Sequence, residues 1–179
     1  MRLRHLVLGL IQPVTHVPAP DAFAVFGVPR TLDLDERELE QRYLRLSREC
    51  HPDHNRAQDH DDCIAVLQRA AEINDAWNVL RDPWRRARAL LEAESPGVLA
   101  KNQRLDPEFL GEALELAEEV AAANGATTHE LRERLARLLA ADYEALAADL
   151  RNGDLDAAAK RVHQSHYHQK ALADLEAKS

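Results

Sequence analysis

Residues 50–55 read Cys50-His51-Pro52-Asp53-His54-Asn55, and helix-period segments run into and out of this stretch. Pro52 locks its own φ near −65° and disfavours helical geometry at His51, so a helix arriving from residue 36 must end at or before His51. Asp53 and Asn55 favour a turn, because their side chains can bond nearby backbone groups. A second helix-period segment leaves near residue 60. The pattern predicts a helical hairpin whose tip carries an imidazole, a fixed turn and an acceptor-only carboxylate. Such a tip suits docking onto a charged, hydrogen-bonding partner.

The incoming helix is predicted from Asp35, which with Glu38 has capping-box spacing. Leu39, Tyr43, Leu46 and Cys50 recur at helix period and form one stripe to be buried. On a neighbouring face Arg42, Arg45 and Arg48 stand three apart, a compact cationic strip. A solvated face with Glu38, Glu40 and Glu49 pairing the arginines is the plainer reading of the same spacing. The outgoing helix is expected to turn Ile64, Leu67, Ala70 or Ala71, Ile73 or Asn74, Trp77 and Leu80 inward. A short helix from Asp21 to Val28, with Phe23 and Phe26 in the core, precedes the hairpin.

The chain has 179 residues, 45% of them apolar and 30% charged, so it is globular in composition. Only 4% are aromatic, which leaves Leu, Ala and Val to build the core. Leucine and alanine favour helix, and no alternating strand pattern of useful length occurs. The expected class is all-α. A net charge of −8 argues against a nucleic-acid partner, since phosphate contacts need a basic surface. No apolar run approaches the roughly 18 residues of a membrane span. Leu6-Val7-Leu8-Gly9-Leu10-Ile11 is short for a signal-peptide core, and residues 1–20 read as a flexible tail. The two cysteines, Cys50 and Cys63, lack CxxC spacing and point to a reducing compartment.

Beyond the hairpin, Asp82-Pro83 places a cap before a proline at the first helical position, with Trp84, Ala87, Leu90 and Leu91 directed inward. Ser95-Pro96-Gly97 ends that helix, giving a first domain over 21–95 and a junction over 96–105. A second domain, 106–179, opens on Asp106-Pro107. Phe109, Leu110, Ala113, Leu114, Ala117, Val120 and Ala121 give its first helix a broad apolar face. Asp106, Glu108, Glu112, Glu115, Glu118 and Glu119 supply acids with no base among them, a soluble surface or a patch for a basic partner. Thr127 with Glu130 has capping-box spacing for the next helix, whose stripe is Leu131, Leu135, Leu138, Leu139, Leu146 and Leu150. Asn152-Gly153 turns into a last helix capped by Asp154, and three helices on short turns predict an antiparallel bundle. His163, His166 and His168 lie on that helix, but His168 is rotated off the face of the other two, so no metal site is assigned.

Three segments carry a resemblance: Phe26-Gly27-Val28-Pro29, Ile73-Asn74-Asp75-Ala76-Trp77-Asn78-Val79-Leu80-Arg81-Asp82-Pro83, and Arg86-Ala87-Arg88-Ala89-Leu90-Leu91. With them, Phe23 to about Glu94 resembles a J domain with its HPD loop at His51-Pro52-Asp53. Phe23 to the C-terminus resembles an HscB-type co-chaperone of iron–sulfur cluster assembly. The resemblance implies an adaptor rather than an enzyme, with no cofactor. His51, Pro52 and Asp53, with Arg42, Arg45 and Arg48, would meet a DnaK/HscA-type chaperone and stimulate its ATPase. Asp53 is the residue to meet an arginine there. Leu110, Leu114, Glu115 and Glu118, with Tyr167 opposite, would bind the iron–sulfur scaffold protein. Gly111 and Ala122 stand where better-known relatives carry a larger apolar residue and an acid, and Tyr167 replaces a phenylalanine. Those departures raise the alternative of a J-domain adaptor for a different client. A third reading, a metal-binding or hydrolytic protein using its histidines, finds no Ser-His-Asp, Cys-His or glycine-rich phosphate signature. The expected location is a bacterial cytoplasm, ahead of a mitochondrial matrix.

Overall fold

The structure is a computed structural model that describes residues 20–50 and 60–178. All regular structure among the described residues is helical: α1 (Ala22–Phe26), α2 (Glu36–Glu49), α3 (His60–Leu80), α4 (Pro83–Glu94), α5 (Val98–Lys101), α6 (Pro107–Ala122), α7 (Gly125–Arg151) and α8 (Leu155–Glu176). The all-α expectation holds.

The aspartate caps set most helix starts. Asp21 accepts from Phe23 N, Asp35 from Glu38 N, Asp82 from Trp84 N and Arg85 N, Asp106 from Glu108 N, and Asp154 from Ala157 N. Each satisfies an amide that the helix itself leaves unpaired. Gly27 ends α1 in the left-handed region at φ 62°, where a side chain would be strained. The start of α7 corrects the sequence reading. That helix begins at Gly125, and Thr127 lies inside its first turn, where its hydroxyl bonds back to the Asn124 backbone. Thr127 is therefore not the cap that its spacing to Glu130 suggested.

Helices α2 and α3 form the hairpin, and Trp77 is its centre. The indole stacks on Tyr43 at 4.8 Å between ring centroids and on Phe26 at 6.4 Å. Tyr43 Oη donates to Asn74 Oδ1 at 3.0 Å, and Leu39, Ile73, Ala76 and Leu80 are buried around the stack. The expected inner face of α3 holds only in its C-terminal half. Ile64 is 41% and Leu67 67% exposed, so both face solvent rather than the core. Among the described residues, the apolar side chains of α1 share a buried cluster with Ile73, Ala76 and Leu80 of the later turns of α3.

The second domain is an up-down-up bundle. Glu119 pairs with Arg134 across α6 and α7, Asp142 meets His168 and Asp149 meets Arg161 across α7 and α8. Those pairings run antiparallel. Phe109 meets Tyr167, and Lys178 donates to the Val120 carbonyl, so α6 runs parallel to α8. At the far end of the bundle Leu116, Val120, Leu131, Leu135, Ala171 and Leu175 make a small core of their own.

The larger core is shared between the two halves. Leu146 of α7 and Ala158, Ala159 and Val162 of α8 join one buried cluster with Phe23, Phe26, Leu80, Ala87, Leu90 and Leu91. Residues expected as a junction contribute to it: α5 buries Val98 and Leu99 against α8, and Lys101 and Asn102 both bond Asp156. Those two bonds hold the Asp156 carboxyl below its ordinary range. Trp84 meets Tyr143 edge-on at 5.3 Å, which fastens α4 to α7.

Arg86 opens the segment Arg86-Ala87-Arg88-Ala89-Leu90-Leu91, and nothing local marks it as buried. It is 4% exposed. Its Nε donates to the Leu80 carbonyl and its Nη1 to the Leu32 carbonyl, each at 2.7 Å. Nη2 has no hydrogen-bond partner among the described residues. Burial pushes the Tyr143 phenol above its usual range, and the Arg86 charge acts against that shift. One guanidinium thus joins the loop after α1, the end of α3 and the start of α4. Removing it strands two buried carbonyls, each costing about 1–3 kcal/mol. Arg86→Ala is therefore expected to lower unfolding stability by roughly 2–4 kcal/mol in a urea titration. An unchanged midpoint and slope would contradict this role.

Candidate functional site

His51, Pro52 and Asp53 lie outside the described residues. What the structure places is the helix that leads to them. Arg45 and Arg48 of α2 are exposed, and neither enters an ion pair among the described residues. Arg42 differs. Its Nε and Nη2 donate to Glu38 Oε1 at 3.1 and 2.7 Å, and its Nη1 donates to the Gly27 carbonyl at 3.1 Å. The first arginine of the strip therefore ties α2 to the end of α1. Arg45 and Arg48 have no such tie among the described residues.

The second surface is on α6. Its buried row is Ala113, Leu116 and Val120, with Phe109 half-buried. Helix periodicity alone does not choose Leu116 over its neighbours, because α6 carries leucines on two adjacent rows. The other row stays outside: Leu110 is 40% and Leu114 62% exposed, with Ala117 and Ala121 also exposed. Glu115 and Glu118 flank it, exposed and without ion pairs among the described residues, whereas Glu119 is taken by Arg134. Tyr167 of α8 is 41% exposed and stands edge-on to Phe109 at 5.7 Å. Phe109 thus underlies the patch, a role that its place in the sequence did not reveal. His168 sits behind it, its Nδ1 donating to Asp142 Oδ2 at 2.6 Å and its ring 5.8 Å from Phe109. The five residues expected at the scaffold surface are therefore all exposed on α6 and α8, and Tyr167 stands beside Phe109 of α6.

Two solvent-exposed leucines and a tyrosine ring, bordered by acids without ion pairs among the described residues, make a patch of mixed character. Scattered exposed leucines need no explanation, but a row with an aromatic at its edge resembles the anchor set of a transient interface. Gly111 lies within this surface, and a Cβ there would meet no atom within 4 Å. The space that a larger side chain would fill is open.

The other two histidines of α8 are not gathered at this patch as a set. His163 Nε2 donates to the Leu99 carbonyl at 2.9 Å, while His166 is exposed. No group of three His, Cys, Asp or Glu side chains among the described residues is disposed to hold a metal ion. No helix of the described residues is long and apolar enough to cross a membrane. Cys50 is half-buried and Cys63 exposed, and both are free thiols.

Known proteins match this arrangement over most of the chain. Residues 21–89 match the DnaJ domain family, and residues 105–176 match the family described as HSCB C-terminal oligomerisation domain. The structure is similar to the chaperone HscB from Vibrio cholerae, with a TM-score of 0.76 and 28% identity over 88% of this chain and 96% of that one. It is also similar in fold to the human co-chaperone protein HscB, with a TM-score of 0.80 and 22% identity over 90% of this chain and 83% of that one. The J-domain match and the bundle match together span most of the chain, and the chain belongs to the HscB-type J-domain co-chaperones of iron–sulfur cluster assembly.

Proposed function

We propose that this protein stimulates ATP hydrolysis by a DnaK/HscA-type chaperone and delivers the iron–sulfur cluster scaffold protein to it. The observation that carries the reading is the exposed row of Leu110 and Leu114 beside Tyr167, with Glu115 and Glu118 at its edge. A bundle that buries Leu116, Leu135, Leu146 and Leu175 leaves these apolar side chains outside, at the end of α6 nearest the J domain. The chaperone side is assigned to His51, Pro52 and Asp53 with Arg45 and Arg48. Arg42 contributes chiefly by fixing the position of α2. Charge-assisted bonds from Asp53 and the two free guanidinium groups suit a polar chaperone surface of mixed charge.

In this reading the protein is an adaptor and not an enzyme. The phosphoryl chemistry belongs to the chaperone, and the present chain supplies positioning on both partners. The fixed geometry between α4 and the bundle then has a use. A client bound on α6 is held at a set distance and angle from the hairpin that engages the chaperone. Binding of the two partners becomes partly intramolecular, which raises effective concentration without any new contact. The site of action is a bacterial cytoplasm. The open space at Gly111 supports a second reading, that the same adaptor serves a client whose surface fills that gap.

Two sets of variants separate the surfaces. His51→Gln and Asp53→Asn are expected to abolish stimulation of the chaperone ATPase while leaving the melting temperature nearly unchanged. A large fall in melting temperature would mean that the tripeptide is structural. Leu114→Ala with Glu115→Ala is expected to weaken scaffold binding by about tenfold or more, as loss of an anchor does. Stimulation in the absence of scaffold should be unaffected. Unchanged scaffold affinity would remove the α6 patch from the account.

A further inference from the structure

Where the first domain meets the bundle, a cleft of about 500 Å³ opens between α4 and α8. Arg85 and Arg88 line it from α4, and His163, His166 and Tyr167 line it from α8, with Gln103 at one side. One acid, Asp82, is also on the wall, but its carboxylate is occupied in capping α4 through Trp84 N and Arg85 N. Both arginines are exposed, and neither forms an ion pair among the described residues. In a protein of net charge −8, two free guanidinium groups facing one cavity make a local reversal of sign. His163 is fixed by its bond to the Leu99 carbonyl, which leaves the ring as a rigid wall of the cleft.

The cleft is continuous with the proposed client surface. Tyr167 belongs to both: it stands against Phe109 of α6 on one side and lines the cleft on the other. We infer that the cleft between α4 and α8 receives an acidic segment of the same scaffold protein whose body rests on the α6 patch. This rests on the reading of that patch as the client surface. The chemistry fits carboxylate side chains. Guanidinium groups take them in bidentate pairs, Gln103 adds an uncharged donor, and Tyr167 offers an apolar face to a chain passing over it. The two halves of the surface then carry opposite signs, acids on α6 and bases between α4 and α8. That fixes the orientation of the client and disfavours partners with the reverse pattern. The geometry also makes the client bridge the two domains, since Arg85 and Arg88 belong to the first and Tyr167 to the second.

The test measures affinity of the cognate scaffold protein for the full chain, for Arg85→Glu with Arg88→Glu, and for Leu114→Ala with Glu115→Ala. The cleft variant is expected to bind about tenfold or more weakly, and the salt dependence of its affinity should be flatter than that of the parent. Arg85→Gln with Arg88→Gln should show a smaller loss in the same direction, with an unchanged melting temperature excluding misfolding. A short oligoglutamate peptide should compete with the scaffold protein for the parent chain and not for the cleft variant. If the α6 variant loses affinity while the cleft variant keeps it, the inference is overturned and the client surface stands. If neither variant loses affinity, the client surface itself fails and the cleft inference fails with it. Binding of inorganic phosphate in the cleft without any effect on scaffold affinity also overturns it.

Discussion

Helix α4 is packed from both sides, and the rest of the molecule depends on that constraint. Its Ala87, Leu90 and Leu91 lie in the same buried cluster as Phe23 and Leu80 of the first domain and Leu146 and Val162 of the second. Such a helix cannot follow one domain and leave the other. Arg86 sits at its first turn and spends two of its donors on the Leu32 and Leu80 carbonyls, which fixes the helix to the J domain at its root. Trp84 against Tyr143, and Asp156 gathering Lys101 and Asn102, complete the attachment on the bundle side. A chain of two domains on a soft linker would let its partners tumble relative to each other. Here the buried core removes that freedom.

The consequence for function is geometric. In the proposed reading the chain is an adaptor, which acts by holding two proteins where they can react with each other. In that reading the helical hairpin carries one contact surface, and α6 with α8 carries the other. Arg42 shows the same economy of parts on a smaller scale. A side chain that the spacing grouped with two docking arginines instead locks α2 onto the end of α1. That leaves Arg45 and Arg48 on a helix whose position is set. The cleft beneath Arg85 and Arg88 exists only because α4 and α8 are held at this separation.

Much of this was legible before any coordinates. The aspartate caps at 21, 35, 82, 106 and 154 are local, so their spacing to the following residues sufficed. The hairpin, the bundle and the exposed leucines of α6 followed from periodicity and the family motifs together. The failures have distinct physical causes. Periodicity says that a helix has an apolar face, but not which of two adjacent rows meets a neighbour. The pattern therefore does not single out Leu116, and it assigns Ile64 and Leu67 to an inner face although both are exposed. Thr127 was read as a cap from a spacing that an earlier helix start makes irrelevant. The burial of Arg86 and the helix at Val98–Lys101 depend on contacts far along the chain, and no local pattern encodes those.

The central claim is that one rigid chain serves two partners at once. Single-turnover ATP hydrolysis by the cognate DnaK/HscA-type chaperone tests it most directly, with this protein and the scaffold protein added separately and together. The account predicts that the rate with both exceeds the product of their separate stimulations. A rate with both that is no greater than that product would contradict it, because the two surfaces would then be acting independently.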